Sequence, residues 1–166
     1  MSAHLIAEEK AKTVLDLCRK HGLRLATVES CTGGLIAAAL TDIAGSSDVV
    51  DCGFVTYSNE AKTILVGVPA KMIETHGAVS RQVAVAMAEG GLKYSRADIA
   101  IAVTGIAGPR GGSEKKPVGL VHMAVAYKNR ETSHHKTHFG DIGRDGIRQA
   151  TVERALAYIA GRLHHD

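Results

Sequence analysis

Between residues 5 and 20 the apolar positions Ala7, Ala11, Val14, Leu15 and Cys18 recur every three or four residues, which puts them on one helical face. His21-Gly22 closes that helix with a C-terminal cap. Residues 23–28 form a short apolar run that reads as a buried strand. After it, Leu35-Ile36-Ala37-Ala38-Ala39-Leu40 opens a helix, apolar on all sides, that reaches about Asp42. Ala44-Gly45-Ser46-Ser47 is a loop, residues 49–57 are a second strand candidate, and Ser58 is a fitting N-cap for the helix that follows. Tyr57 is thereby placed at a strand end and Lys62 one turn into a helix. Pro69 starts a short helix over residues 70–75 that stops at His76-Gly77, and Ser80 caps a longer one with Val83, Met87 and Gly91 on one face.

Residues 98–103 are continuously apolar and short, the pattern of a strand buried on both sides. They run into a glycine-rich loop from Thr104 to about Pro117. Residues 118–127 and 132–139 then read as a hairpin around Lys128-Asn129-Arg130, its second strand polar enough for an edge. A last helix, residues 144–163, presents Ile147, Ala150 or Thr151, Arg154 or Ala155, and Tyr158 at helical spacing. Helices and strands mixed in this order predict an α/β fold, a three-layer α/β/α sandwich over a mixed β-sheet. With no internal repeat, residues 1–166 read as a single domain.

Composition narrows the function classes. Aromatics make up 4% of the chain and Trp is absent, so little is on offer for stacking bases, and the net charge of +3 comes from scattered Lys and Arg. Nucleic acid is not an expected partner. The three cysteines, Cys18, Cys31 and Cys52, are odd in number and widely spaced, which fits neither a disulfide framework nor a CxxC metal site and points to a reducing, cytoplasmic setting. No signal-peptide pattern opens the chain and no apolar run reaches the roughly 18 residues of a membrane span, so no membrane partner is expected. Helices apolar all round fit burial inside the monomer or within a homo-oligomer.

The chemistry gathers at Thr27-Val28-Glu29-Ser30-Cys31-Thr32-Gly33-Gly34, where a hydroxyl and a thiol stand side by side on a strand-to-helix turn. Two glycines let the backbone turn tightly and expose N–H groups near a helix N-terminus, a geometry that suits a nucleophile with an oxyanion hole. The plainer account makes Thr32 an N-cap and Ser30 a backbone-bonded serine. Cys31 is a rival nucleophile, because a helix N-terminus lowers a thiol's pKa. None of the nine histidines stands in a triad motif. His134, His135, His138, His164 and His165 crowd late polar segments, where solvated surface is the ordinary reading and weak metal binding by His134 with His138 the other. A lysine serves as base if its amine is neutral, which from an ordinary value near 10.4 takes a drop of roughly 2 to 3 units. The glycines at 105, 108, 111 and 112 offer backbone N–H groups to an anion but lack the ending of a P-loop. Arg144 and Arg148, four residues apart, share a helix face and fit a phosphate clamp.

Five separate stretches, in order and spacing, resemble the CinA C-terminal domain family: Val28-Glu29-Ser30-Cys31-Thr32-Gly33-Gly34, Gly45-Ser46-Ser47, Val55-Thr56-Tyr57-Ser58-Asn59-Glu60-Ala61-Lys62, His76-Gly77-Ala78-Val79-Ser80 and Val103-Thr104-Gly105-Ile106-Ala107-Gly108-Pro109. Gly143-Arg144 with Ile147-Arg148 resembles the family's last helix, although Gly140-Asp141-Ile142-Gly143-Arg144 departs from its commoner Gly-Asp-Arg run. The resemblance covers residues 5 to 163 and implies nicotinamide-nucleotide amidohydrolase activity, which converts nicotinamide mononucleotide to nicotinate mononucleotide and ammonia without metal or other cofactor. It implies Ser30 as nucleophile, Lys62 as base and Tyr57 between or beside them. The N–H groups of Cys31, Thr32, Gly33 and Gly34 would hold the oxyanion. Thr104, Gly105 and Gly108 of the long loop, with Arg144 or Arg148, would hold the ribose-phosphate end of a small nucleotide substrate. Longer relatives carry an extra N-terminal domain resembling molybdopterin-binding proteins, and this chain looks like the stand-alone form. The competing expectations are a noncatalytic accessory module acting through protein contacts, and a Cys31 hydrolase on the same scaffold.

Overall fold

The computed structural model describes residues 2–164. Its elements, in chain order, are α1 (Ala3–His21), β1 (Leu25–Glu29), α2 (Leu35–Thr41), a 3-10 turn at Ser46–Asp48, β2 (Val50–Val55), α3 (Asn59–Val66), α4 (Ala70–His76), α5 (Arg81–Lys93), β3 (Ile99–Gly105), β4 (Leu120–Tyr127), β5 (Ser133–His138) and α6 (Arg144–His164). One five-stranded sheet runs in the order β2-β1-β3-β4-β5. β1 is parallel to both of its neighbours, whereas β3, β4 and β5 pair antiparallel, so the sheet is mixed.

Alternation of side chains along the strands divides the core into two layers. Ile99, Ile101 and Val103 of β3 and Val121, Met123 and Val125 of β4 face α1, α2 and α6, where Val14, Leu15, Ile36, Leu40, Ile147 and Leu156 are fully or nearly fully buried. The opposite face offers Val28, Ala102, Ala124 and Ala126 to Val66, Ile73, Val83 and Met87 of α3, α4 and α5. Small residues on this second face let α5 lie close to the sheet. A Cβ built on Gly91 would stand 2.6 Å from Val28 Cγ2. The expected α/β/α sandwich is thus the observed one.

The differences lie at element ends. β1 begins at Leu25 and runs on through Glu29, against the 23–28 that the apolar run predicts; the Arg24 carbonyl is already taken by the N–H groups of Asp98 and Ile99. β2 stops at Val55, so Tyr57 lies past the strand. The helix read as apolar all round, α2, buries only Ile36 and Leu40 fully and exposes Ala38, which its row of alanines tolerates at little cost. In α6 the buried stripe is Ile147, Thr151, Val152, Ala155, Leu156, Ile159 and Leu163, leaving Arg154 exposed.

Caps hold the helix that delivers Lys62. The Ser58 hydroxyl accepts from the Ala61 N–H at 3.0 Å, and Gly67 ends α3 in the left-handed region at φ 70°. Ser58→Ala should therefore cost about 1 kcal/mol, read as a lowered urea midpoint with an unchanged slope.

Candidate active site

The carboxyl ends of β1, β2 and β3 lie side by side, the place where open α/β sheets gather ligands. Ser30 follows β1 directly, and its N–H donates to the Val103 carbonyl of β3 at 3.1 Å. Thr56 follows β2 and is tied to β1 by its N–H, which donates to the Glu29 carbonyl at 2.8 Å. The first turn of α3 then sends Lys62 back under both. Its side chain is 1% exposed, with Nζ 3.0 Å from Ser30 Oγ and 2.7 Å from the Thr56 carbonyl. Burial lowers the Lys62 pKa below its ordinary value, and the opposing influence is the neighbouring Cys31. That influence is slight at neutral pH, because burial pushes the Cys31 thiol up to about 12 and keeps it uncharged. An activated serine needs a base that is poorly solvated and touching it, and Lys62 meets both conditions.

Behind the serine, the turn is braced by two residues far apart in sequence. Glu29, 1% exposed, accepts from the Thr32 hydroxyl at 2.5 Å, from the Ile36 N–H at 2.9 Å and from the Ala37 N–H at 3.0 Å. The α2 N-terminus is thus capped by Glu29. Thr32, the expected N-cap, instead spends its hydroxyl on that carboxylate, while Gly34, at φ 105°, takes the cap position. Arg148 donates from Nε to the Cys31 carbonyl at 3.1 Å and from one Nη to the Thr32 carbonyl at 3.3 Å. Its guanidinium therefore clamps the turn itself rather than standing free for a phosphate. Gly33 gives its N–H to the Ser30 carbonyl at 3.0 Å, which removes it from the expected oxyanion donors; the N–H groups of Cys31 and Thr32 meet no backbone carbonyl among the described residues.

In front of the serine opens a cleft of about 290 Å³. Of the residues singled out by sequence, it brings together Ser30, Cys31, Tyr57, Lys62, Thr104, Gly105, Gly108 and Arg144; Thr32, Gly33, Gly34 and Arg148 are not among its lining residues. Tyr57 is 61% exposed and does not bridge Ser30 and Lys62: its hydroxyl accepts from Arg144 at 3.0 Å, while the other Nη of Arg144 donates to the Gly108 carbonyl at 2.8 Å. Arg144 consequently ties the tip of the β2–α3 connection to the glycine-rich loop across the cleft mouth. The Thr104 hydroxyl donates to the Ala78 carbonyl at 2.9 Å, fixing the opposite wall. Gly105 has no room for a side chain, since a Cβ would meet Val121 Cγ2 at 2.6 Å. Asn59, Ala78, Val79 and Arg110 also line the cleft and were not singled out by sequence. Asn59 follows the Ser58 cap and Arg110 sits among the loop glycines, so proximity to those motifs was the available signal.

The family model described as the CinA C-terminal domain matches residues 7–163. This chain belongs to the CinA C-terminal domain family. A CinA-like protein of Geotalea uraniireducens is 51% identical over 90% of this chain and 35% of its own, and one of Colwellia psychrerythraea is 54% identical over 73% and 29%. The chain spans about a third of the length of the curated relatives it matches. Among solved structures, competence/damage inducible protein CihA from Agrobacterium tumefaciens superposes with a TM-score of 0.92 at 55% identity, covering 96% of both chains. A CinA superfamily protein from Escherichia coli gives 0.83 at 32% identity, covering 94% of this chain and 87% of its own.

In this CinA domain none of His134, His135, His138 and His164 lines the cleft. His134 pairs with His122 across β4 and β5, Nε2 to Nδ1 at 2.8 Å, rather than with His138. Among the described residues no three His, Cys, Asp or Glu side chains converge to hold a metal ion. His165 lies outside the described residues. No helix among them is long and apolar enough to cross a membrane. Burial first, then the cationic side chains around it, pushes His122 down to about 4. A histidine neutral in the fold but ordinary when unfolded adds stability that is complete above about pH 6.5 and is lost as pH falls towards 4. The melting temperature should decline across that window, and less steeply in His122→Gln.

Proposed function

We propose that this chain is a serine amidohydrolase acting on the carboxamide of a nicotinamide nucleotide, releasing ammonia and leaving the nicotinate nucleotide. The observation that carries the reading is the buried Lys62 amine at 3.0 Å from Ser30 Oγ. A surface lysine would be protonated and useless as a base. One desolvated among apolar groups and anchored on a carbonyl can hold a lone pair towards the serine hydroxyl.

Neutral Lys62 takes the Ser30 proton as Oγ attacks the carboxamide carbon, and the oxyanion forms against the turn amides, first among them the N–H of Cys31, which lines the cleft. Loss of such a donor typically costs about 2.7–4 kcal/mol. Because Glu29 already answers the N-terminus of α2, the oxyanion depends on those turn amides and gains little from the helix dipole. Collapse breaks the C–N bond, and Lys62 returns its proton to the departing ammonia. Water then attacks the nicotinoyl ester, giving a proton to Lys62, which passes it back to Ser30. Arg110 and Arg144 line the cleft beside the loop glycines and suit the phosphate end. Phosphate binding there would orient the amide, so free nicotinamide should be a poor substrate. Cys31, uncharged and buried, is a poor candidate for the nucleophile.

The test is ammonia release from nicotinamide mononucleotide by the wild-type chain, Ser30→Ala and Cys31→Ala, each with EDTA. Release that survives EDTA and Cys31→Ala and vanishes with Ser30→Ala supports the reading. A folded wild-type chain that releases none overturns it for this substrate and leaves the accessory-module reading ahead.

A further inference from the structure

β5 is the open edge of the sheet opposite β2, three positions from the strand that leads into Ser30. At its start lies a groove of about 340 Å³ lined by Arg81, Glu131, Thr132, Ser133, His134 and Arg162. Arg81 opens α5 and Arg162 belongs to the last turn of α6, so two helices on opposite faces of the sheet converge on one strand edge. Two guanidinium charges face a single carboxylate there. Neither arginine is ion-paired among the described residues, and Arg162 Nε is buried with no hydrogen-bond partner. Ser133 adds a hydroxyl: its Oγ accepts from Tyr158 at 2.7 Å and keeps its own hydrogen to donate.

His134 connects this groove to a second proton site. Its Nε2 lies 2.8 Å from His122 Nδ1 and the rings stack with centroids 5.1 Å apart, so one nitrogen donates and the other accepts. A first proton keeps this arrangement, the charged ring donating to its neutral partner, and only protonation of both rings leaves two donors face to face. Charged and titratable neighbours surround the pair: Arg81 on α5, His135, Lys136 and His138 on β5, and Lys116 on the loop before β4. Burial and these groups hold both rings below their ordinary values. An anion between Arg81 and Arg162 would offset that positive field.

We propose that the groove at the start of β5 binds a phosphate-type tetrahedral oxyanion between Arg81 and Arg162, and that binding is coupled to proton uptake by His134 and His122. The site stands apart from the Ser30 cleft and does not depend on the amidohydrolase reading. By linkage, an anion that favours the protonated pair must bind more tightly as pH falls. Glu131 sets the selectivity, since a weakly charged carboxylate gains less than a dianion against its repulsion.

Sulfate is the suitable probe, because it stays a dianion from pH 4 to 8. The imidazole signals of His122 and His134 in the full chain are followed by NMR through that range, in sulfate and in chloride at equal ionic strength. Sulfate should raise the His134 midpoint, each half unit of rise corresponding to about threefold tighter binding to the protonated form. Arg162→Gln should abolish the effect. Equal midpoints in the two salts for the folded wild-type chain overturn the proposal without any variant. So does a shift that persists in the Arg81→Gln, Arg162→Gln double variant, or sulfate-dependent amide shifts confined to the Ser30 cleft. Comparing phenyl phosphate with inorganic phosphate at pH 7.5 distinguishes the sources: tighter phenyl phosphate supports an organic phosphate, and equal binding supports the free ion.

Discussion

Lys62→Met should lower kcat for nicotinamide mononucleotide about 10²- to 10⁴-fold, the range attributed to a positioned general base, while KM changes little. Methionine fills much the same volume in the buried channel, so the fold has no reason to fail. Stability at neutral pH should hold or rise. The native pKa of Lys62 is lowered by burial, so below the unfolded value the fold must either bury the charge or give up the proton, both unfavourable, and Met removes that load. Losing the amine leaves the Thr56 carbonyl without that donor, which offsets part of the gain. In the wild type, kcat/KM should rise with pH through the depressed Lys62 pKa to a plateau, and the limb should be absent from the residual activity of Lys62→Met. A variant that keeps kcat within tenfold of the wild type would remove Lys62 from the chemistry.

Glu29→Ala should cost about 2–4 kcal/mol of stability and most of the activity together. It strips the acceptor from the Thr32 hydroxyl and from two N–H groups at the start of α2, all in a nearly waterless site. Of the two side chains that brace the turn carrying Ser30 and the proposed oxyanion donors, only Arg148 then remains, beside the turn's own backbone bonds. Glu29→Gln should fall between: one oxygen still accepts, while an amide N–H₂ now confronts the Ala37 N–H. Urea midpoints and steady-state kinetics on the three proteins give that order. An Ala variant as stable as the wild type would show that the carboxylate is replaceable.

How far the sequence announced these features depended on their range. The order of strands and helices was legible because each apolar run is short and bounded by a cap, as at Gly22, Ser58 and Ser80. Ser30 and Lys62 were legible as residues at element edges, and the family resemblance joined them. Their direct contact was not, since it depends on how β1 and β2 align. Arg148 misled for a related reason: its four-residue spacing from Arg144 is real, yet its partners lie 116 and 117 residues away. Glu29 was not legible because the acidic start signal is read in a helix's first turn, whereas Glu29 ends β1 and reaches α2 by folding back past the glycines, a path no local pattern encodes.

β2 pairs only with β1, and its outer side is open. Ser30 and Lys62 therefore stand on opposite banks of a seam between an edge strand and the interior. Partial openings of a native protein start at such margins and require less free energy than global unfolding. Detaching β2 would carry Thr56 and α3 away together, separating base from nucleophile while β1, β3 and β4 stay folded. The chemistry should consequently fail before the fold does: in a urea titration, activity is expected to vanish at concentrations where far-ultraviolet circular dichroism is still native.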